Sequence, residues 1–172
     1  MKATGILRRI DELGRVVIPK EIRKSMKMRE GEELEIYTTD EEVVLKKYSE
    51  MSALEHSALS LVSAICKVTG KSVLITDTDK VVASAGKGVP ETGAPMPDRL
   101  IRLIESRRKI SLTDGDMISL GAEDIRSETV HPILSGGDLF GAIVILSKEP
   151  ASKSDEQLAA TVAKFFEEQI GR

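Results

Sequence analysis

The sequence has no tryptophan, one cysteine and two histidines among 172 residues, and aromatic side chains make up only 3% of it. Any core must therefore be built mainly from aliphatic residues. There are enough of them: hydrophobic residues are 41% and charged residues 31%, ordinary globular usage that argues against wholesale disorder. Cys66 alone can form no internal disulfide, which suits a reducing compartment, so a cytoplasmic location is expected. His56 and His131 lie far apart with one cysteine between them, whereas a zinc site takes about four ligands at recognisable spacing. No metal is expected. No apolar run approaches the ~20 residues that span a bilayer, and Met1–Ile10 is not a secretory signal, so no membrane partner is expected. No nucleophile stands with its base, and Gly86-Lys87-Gly88 is too short for a phosphate loop. Asp77, Asp79, Asp114 and Asp116 fall in turn-like stretches, where aspartate is favoured for bonding to the backbone. The chain is read as a non-enzyme without a cofactor.

What the sequence does have is segregated charge. The net charge of −3 conceals it. Residues 1–29 hold nine Lys/Arg against three Asp/Glu, a balance of +6. Residues 30–50 hold two Lys against eight acids, a balance of −6. Separation this sharp within fifty residues implies a module with one basic and one acidic face.

That module reads as strand, turn, strand, helix, strand, turn, strand. Gly5–Ile10 is β-compatible, Asp11–Gly14 is a turn, and the β-branched Arg15–Ile18 is a strand. Pro19 suits the first position of a helix whose Ile22 and Met26 share one side, leaving Lys20, Arg23, Lys24 and Lys27 mostly outside; Glu30-Gly31 ends it. Glu33–Tyr37 and Val43–Leu45 are strands about a Thr39–Glu42 loop. Four short strands and one helix bury little core alone, and such units need disulfides, a metal or a partner chain. With no Cys or His in residues 1–50, an intertwined homodimer is the expected solution.

Residues 51–172 form a second expected domain after the linker Tyr48–Glu50. Met51, Leu54, Ala58, Leu61, Ile65 and Val68 make an a/d seam on one long helix, Leu59, Val62 and Cys66 add a second stripe, and Gly70 stops it. Ser72–Thr76 and Val81–Ala83 are strands, Gly86–Pro97 is a loop, and Leu100–Ile104 marks a helix. A strand is expected near Met117–Leu120. Thr129–Leu134 and Leu139–Leu146 flank a Gly136-Gly137 hairpin turn, and Ser154 or Asp155 caps a last helix carrying Leu158, Val162, Phe165, Phe166 and Ile170. This order predicts α+β packing, an antiparallel sheet with flanking helices. The second stripe lets the long helix pack both on its own sheet and between chains, which predicts a dimer of dimers with Val162, Phe166 and Ile170 of the terminal helix contributing.

Function rests on Arg8, Arg9, Arg15, Arg23 and Lys24. The guanidinium fork matches phosphate oxygens and the guanine edge in the major groove. Arg8 and Arg9 point to opposite faces of a strand, which a sheet lying over a core would not favour. Solvated surface charge is the bland alternative. The keeping of acids out of this half weighs against it. The expected function is promoter-DNA binding by a transcriptional regulator. Two other readings stay open: an antitoxin-like protein-interaction module with DNA autoregulation, and a ligand sensor that binds no DNA.

The stretch from Met1 to Arg23 and from Leu34 to Tyr48 resembles the AbrB family of transition-state regulators. The resemblance is carried by Thr4-Gly5, Asp11-Glu12-Leu13-Gly14-Arg15, Val17-Ile18-Pro19 and Leu45-Lys46-Lys47-Tyr48, in order and at the right spacing. It implies a swapped-hairpin β-barrel made by two chains. It also places the family's DNA-contacting positions on Arg8, Arg9, Arg15, Arg23 and Lys24. Lys24 stands where arginine is common, so a phosphate contact is implied there rather than a bidentate one. Residues 51–172 look GAF-like by element order, by Pro132-Ile133-Leu134, Gly136-Gly137 and Gly141–Ile145. Regulation of sporulation or transition-state genes is what the resemblance implies. It names no ligand for the second domain.

Overall fold

The computed structural model describes residues 5–113, 116–118, 120 and 124–171. It divides into two compact units, Met1–Tyr48 and Ser49–Arg172. Thr4 and Asp114, singled out above, lie outside the described residues.

The first unit holds helix α1 (Lys20–Ser25) and a hairpin of strands β1 (Leu34–Thr38) and β2 (Val43–Lys47). The hairpin pairs Leu34 with Lys47 and Thr38 with Val43, as alternation and the Thr39–Glu42 loop require. Pro19 sits just ahead of α1 at φ −58°, so its missing N–H leaves no bond unmade. The helix ends at Ser25, earlier than Glu30-Gly31. Lys27 takes a left-handed φ of 52°, Met28 N donates to Arg23 O (2.7 Å) and Lys27 N to Lys24 O (3.2 Å). This is a Schellman-type closure with lysine where glycine is usual.

The segments 5–10 and 15–18, expected as strands, form no ladder within the chain. Between them the backbone reverses: Gly14 N donates to Asp11 O (2.9 Å) and Asp11 N to Arg15 O (3.1 Å). Among the described residues neither segment pairs with an outer edge of the β1–β2 hairpin or with the other segment. Among the described residues of this unit only Pro19 is buried. Leu7, Ile10, Leu13, Val17, Ile36 and Val43 are 66–91% exposed.

The second unit is a five-stranded antiparallel sheet in the order β4-β3-β7-β6-β5 with helices on both faces. Its elements are α2 (Glu50–Ala53), α3 (Glu55–Thr69), β3 (Ser72–Thr76), β4 (Val81–Ala85), α4 (Asp98–Glu105), β5 (Ile110–Thr113), β6 (Ser127–Ser135), β7 (Asp138–Ser147) and α5 (Lys153–Ile170). One apolar cluster joins α3 and α5 to the inward side chains Val73, Ile75, Ile143 and Ile145. The alternate side chains Leu74, Val130, Val144 and Leu146 form a second cluster with Met96, Leu100, Ile101 and Ile104. A sheet covered on both faces gives strands that are apolar throughout, as β7 is from Gly141 onward.

Three local expectations are corrected. The long first helix is two, interrupted at Leu54 (φ −95°, ψ 12°), with Ser49 capping the shorter piece through Ser52 N (3.2 Å). Its a/d seam divides: Met51, Ala58 and Ile65 are buried against the sheet, and Val68 is 85% exposed. The α5 cap is Ser152, which accepts from Asp155 N (3.2 Å), rather than Ser154 or Asp155. The buried Asp155 instead receives the Ser152 hydroxyl and the Lys71 ammonium. Finally, Ile110–Thr113 is the edge strand, while Met117, Ile118 and Leu120 form none; Ser119 lies outside the described residues. Ile118 and Leu120 are buried in the second cluster instead.

Candidate nucleic-acid interface

The cations of the first unit stand on two supports, the 8–15 reversal and α1. Arg8, Arg9, Arg15, Arg23 and Lys24 are all exposed. Arg23 and Lys24 occupy the last turn of α1, where positive charge also complements the helix dipole. Among the described residues, Arg9, Arg23 and Lys24 have no side-chain partner, and Arg8 touches only the carbonyl of Leu7 (3.2 Å).

Arg15 differs. Its Nε donates to Asp11 Oδ2 at 2.9 Å, while Asp11 Oδ1 accepts from Arg15 N (2.8 Å) and Leu13 N (3.0 Å). Asp11 thus closes the turn through its own side chain and fixes the root of the Arg15 guanidinium. The Arg15 side chain keeps 69% of its exposure, so its two Nη groups stay available. The backbone N–H of Arg15 is the main reason the Asp11 carboxyl titrates below the ordinary value of 3.8; the guanidinium and Leu13 N–H add to it. Asp11 as an anchor was not foreseen. Its signal was an aspartate three residues before glycine and four before arginine.

Not every lysine joins this set. Lys47 Nζ pairs with Glu32 Oε1 (2.9 Å) and donates to Lys27 O (3.2 Å), tying β2 to the end of α1. Lys46 lies over the Tyr37 ring at 4.7 Å. The exposed acids Glu33, Glu35, Asp40, Glu41 and Glu42 belong to the hairpin and its approach, apart from the basic supports.

What the arrangement offers chemically is a set of mostly uncommitted donors for an anion. In comparison with known proteins, residues 53–171 match the family model described as stage V sporulation protein T C-terminal, transcription factor. Residues 7–52 match that described as antidote-toxin recognition MazE, bacterial antitoxin. The chain is 42% identical to stage V sporulation protein T of Bacillus subtilis over 171 residues, 96% of either chain. It is 58% identical to the transition state regulatory protein AbrB of the same organism over 48 residues, 28% of this chain and 50% of that protein. Over 88% of its length the chain shares its fold with the GAF domain of the nutrient sensor CodY from Clostridium difficile, 94% of that one being covered, at a TM-score of 0.52 and 16% identity. With the transcription-factor model matched across the second unit and near-full-length identity to a sporulation regulator, the chain belongs to the stage V sporulation protein T family of transcription factors.

Proposed function

We propose that this transcription regulator binds promoter DNA as a dimer through Arg8, Arg9, Arg15, Arg23 and Lys24, and that its GAF-like domain tunes that binding. The observation that carries the proposal is the set itself: five exposed cations, three without a side-chain partner among the described residues and one rooted by Asp11. Residues 1–50 are the DNA-binding module and 51–172 the regulatory and oligomerisation domain.

The dimer follows from packing. A unit whose described residues bury only Pro19 leaves its apolar side chains to a second copy, and covering each is worth about 1.5–3 kcal/mol. Two copies present ten cations in two-fold register, matched to two half-sites of a duplex. Neutralising about eight phosphates gives a slope of log affinity on log salt near −7. Sequence preference comes in part from the shape of the duplex, since contacts to backbone phosphates carry no sequence information themselves. In the second unit Val162 and Phe166 of α5 are spent on the unit's own core rather than on a bundle between chains, which leaves exposed Val68 on α3 and Phe165 on α5 to support a further dimerisation into a tetramer. The CodY domain is described as cofactor binding, and we assign this domain a small effector by analogy of fold alone.

The test is a salt titration of duplex binding with Arg15→Ala/Arg23→Ala. Affinity should fall for every duplex and the slope flatten by about 3–4, four side chains being lost per dimer. Wild-type affinity in a folded, dimeric variant refutes the assignment.

A further inference from the structure

The second unit repeats, in a smaller space, the charge segregation of the first. Residues 51–172 carry a net −3, yet residues 98–110 hold five cations (Arg99, Arg102, Arg107, Arg108, Lys109) against Asp98 and Glu105. These thirteen residues are therefore +3 within a domain that is otherwise −6. They run from α4 through its terminal turn into the edge strand β5.

Two of the five are occupied by structure. Arg99 donates to the carbonyls of Asp116 and Met117, and Arg107 donates to the Gly137 carbonyl in the β6–β7 turn. Arg107 takes a left-handed φ of 56° to do so, so the turn between helix and strand is pinned at that point. Ser106 N closes on Arg102 O (3.1 Å) and Leu103 O (3.2 Å), and Arg107 N on Ile104 O (2.9 Å). What this pinning leaves outside is Arg102 on the last turn of α4, then Arg108 and Lys109 on the approach to β5. All three are exposed, and none makes a side-chain hydrogen bond or ion pair among the described residues; Lys109 acts on the His131 ring only by charge repulsion. A rigid backbone presenting three uncommitted cations lowers the ordering cost of meeting an anionic lattice.

We propose that Arg102, Arg108 and Lys109 form a second, weaker contact with the phosphates of DNA flanking the promoter site. The inference rests on the reading that the first unit binds DNA. Once that unit is engaged, the attached domain meets the flank intramolecularly. Contacts too weak to hold free DNA then add to affinity through effective concentration. Exposed arginines and lysine on a helix end and strand edge suit backbone phosphates rather than base edges, so the contact should be indifferent to sequence.

The experiment uses the full chain, with Arg102→Gln/Arg108→Gln/Lys109→Gln beside Arg102→Lys/Arg108→Lys. Each protein is titrated with a short duplex limited to the core site and with one extended on both sides, across a range of salt. On the extended duplex the triple Gln variant should bind several-fold more weakly and lose up to about 5 from the magnitude of the salt slope, six side chains being lost per dimer; the lysine variant should match wild type. On the short duplex all three should agree. Equal binding of the triple variant and wild type on the extended duplex overturns this inference and leaves the proposed function standing. A loss equal on both duplexes also overturns it, as does loss from vesicles of anionic lipid with none on DNA. Failure of wild type to bind either duplex instead removes the function on which the inference rests.

Discussion

At the scale of single residues, Asp11 is the side chain on which most depends for its size. Its carboxylate receives two backbone N–H groups and one guanidinium N–H, and these bonds favour the charged form. The folded value lies below 3.8, so the turn gains stability that is fully present above the ordinary aspartate range. That gain is lost as pH falls through the depressed folded value. In an NMR titration of the full chain, the Leu13 and Arg15 amide shifts should move together with a midpoint below 3.8. A midpoint at or above it contradicts the hydrogen-bonded turn. His131 carries a second pH dependence, of different origin. Burial holds its imidazole below the ordinary 6.5, against the pull of the Pro132 carbonyl on Nδ1 (2.9 Å) and with help from Lys109. Its Nε2 is buried without a partner. The neutral ring therefore contributes stability above pH 6.5 that fades as pH drops through the folded value. The melting temperature should decline from pH 7.5 to 5.5 in wild type and decline less in His131→Phe. Parallel curves would contradict it.

Elements were legible where one short signal sets the geometry. Gly136-Gly137 gives the β6–β7 turn, with φ of 58° and 92° and Ser135 paired with Asp138, because two consecutive positive-φ residues fit a two-residue hairpin. The α5 cap was misread because Ser152, Ser154 and Asp155 are all acceptable caps by composition. Only the extended backbone at Ser152 (φ −123°) and the engagement of Asp155 by Lys71 decide between them. Likewise β5 escaped notice: Ile110–Thr113 alternates over four residues, too few to stand out beside the 107–109 charge run. One cap and one close approach can be ranked by stability. Ser152→Ala removes one N-cap bond and should cost about 1 kcal/mol. Gly141→Ala should cost more, on the order of 2–3 kcal/mol, because its Cβ would stand 1.9 Å from Thr76 O, backbone of the neighbouring strand that cannot swing aside. Thermal unfolding of the two variants should show that order. A smaller loss for Gly141→Ala would mean that β3 and β7 separate readily.

At the scale of the whole molecule, the least legible part was the stretch with the strongest motif. Residues 5–18 carry strand-like sequence, yet among the described residues they form no ladder in the chain, although the β1–β2 hairpin keeps both outer edges. Size and the lack of Cys and His argue for a partner, but a sequence cannot say which edge that partner fills. The backbone N–H groups of Leu7, Arg9 and Val17 supply a way to ask. None has an acceptor within the chain among the described residues. In an isolated chain they would exchange with solvent at the rate of free backbone. In an intertwined dimer they pair with strands of the second copy and exchange slowly. Hydrogen exchange on the full-length protein should therefore show protection at these amides. It should be lost in Val17→Asp/Ile36→Asp, since both side chains, 72% and 66% exposed in one chain, would be buried in the dimer. Amides of β3 and β7 in the second unit serve as the control and should exchange equally slowly in both proteins. Fast exchange at Leu7, Arg9 and Val17 in wild type, at concentrations where the protein binds DNA, would mean that the first unit recognises its target without interlocking.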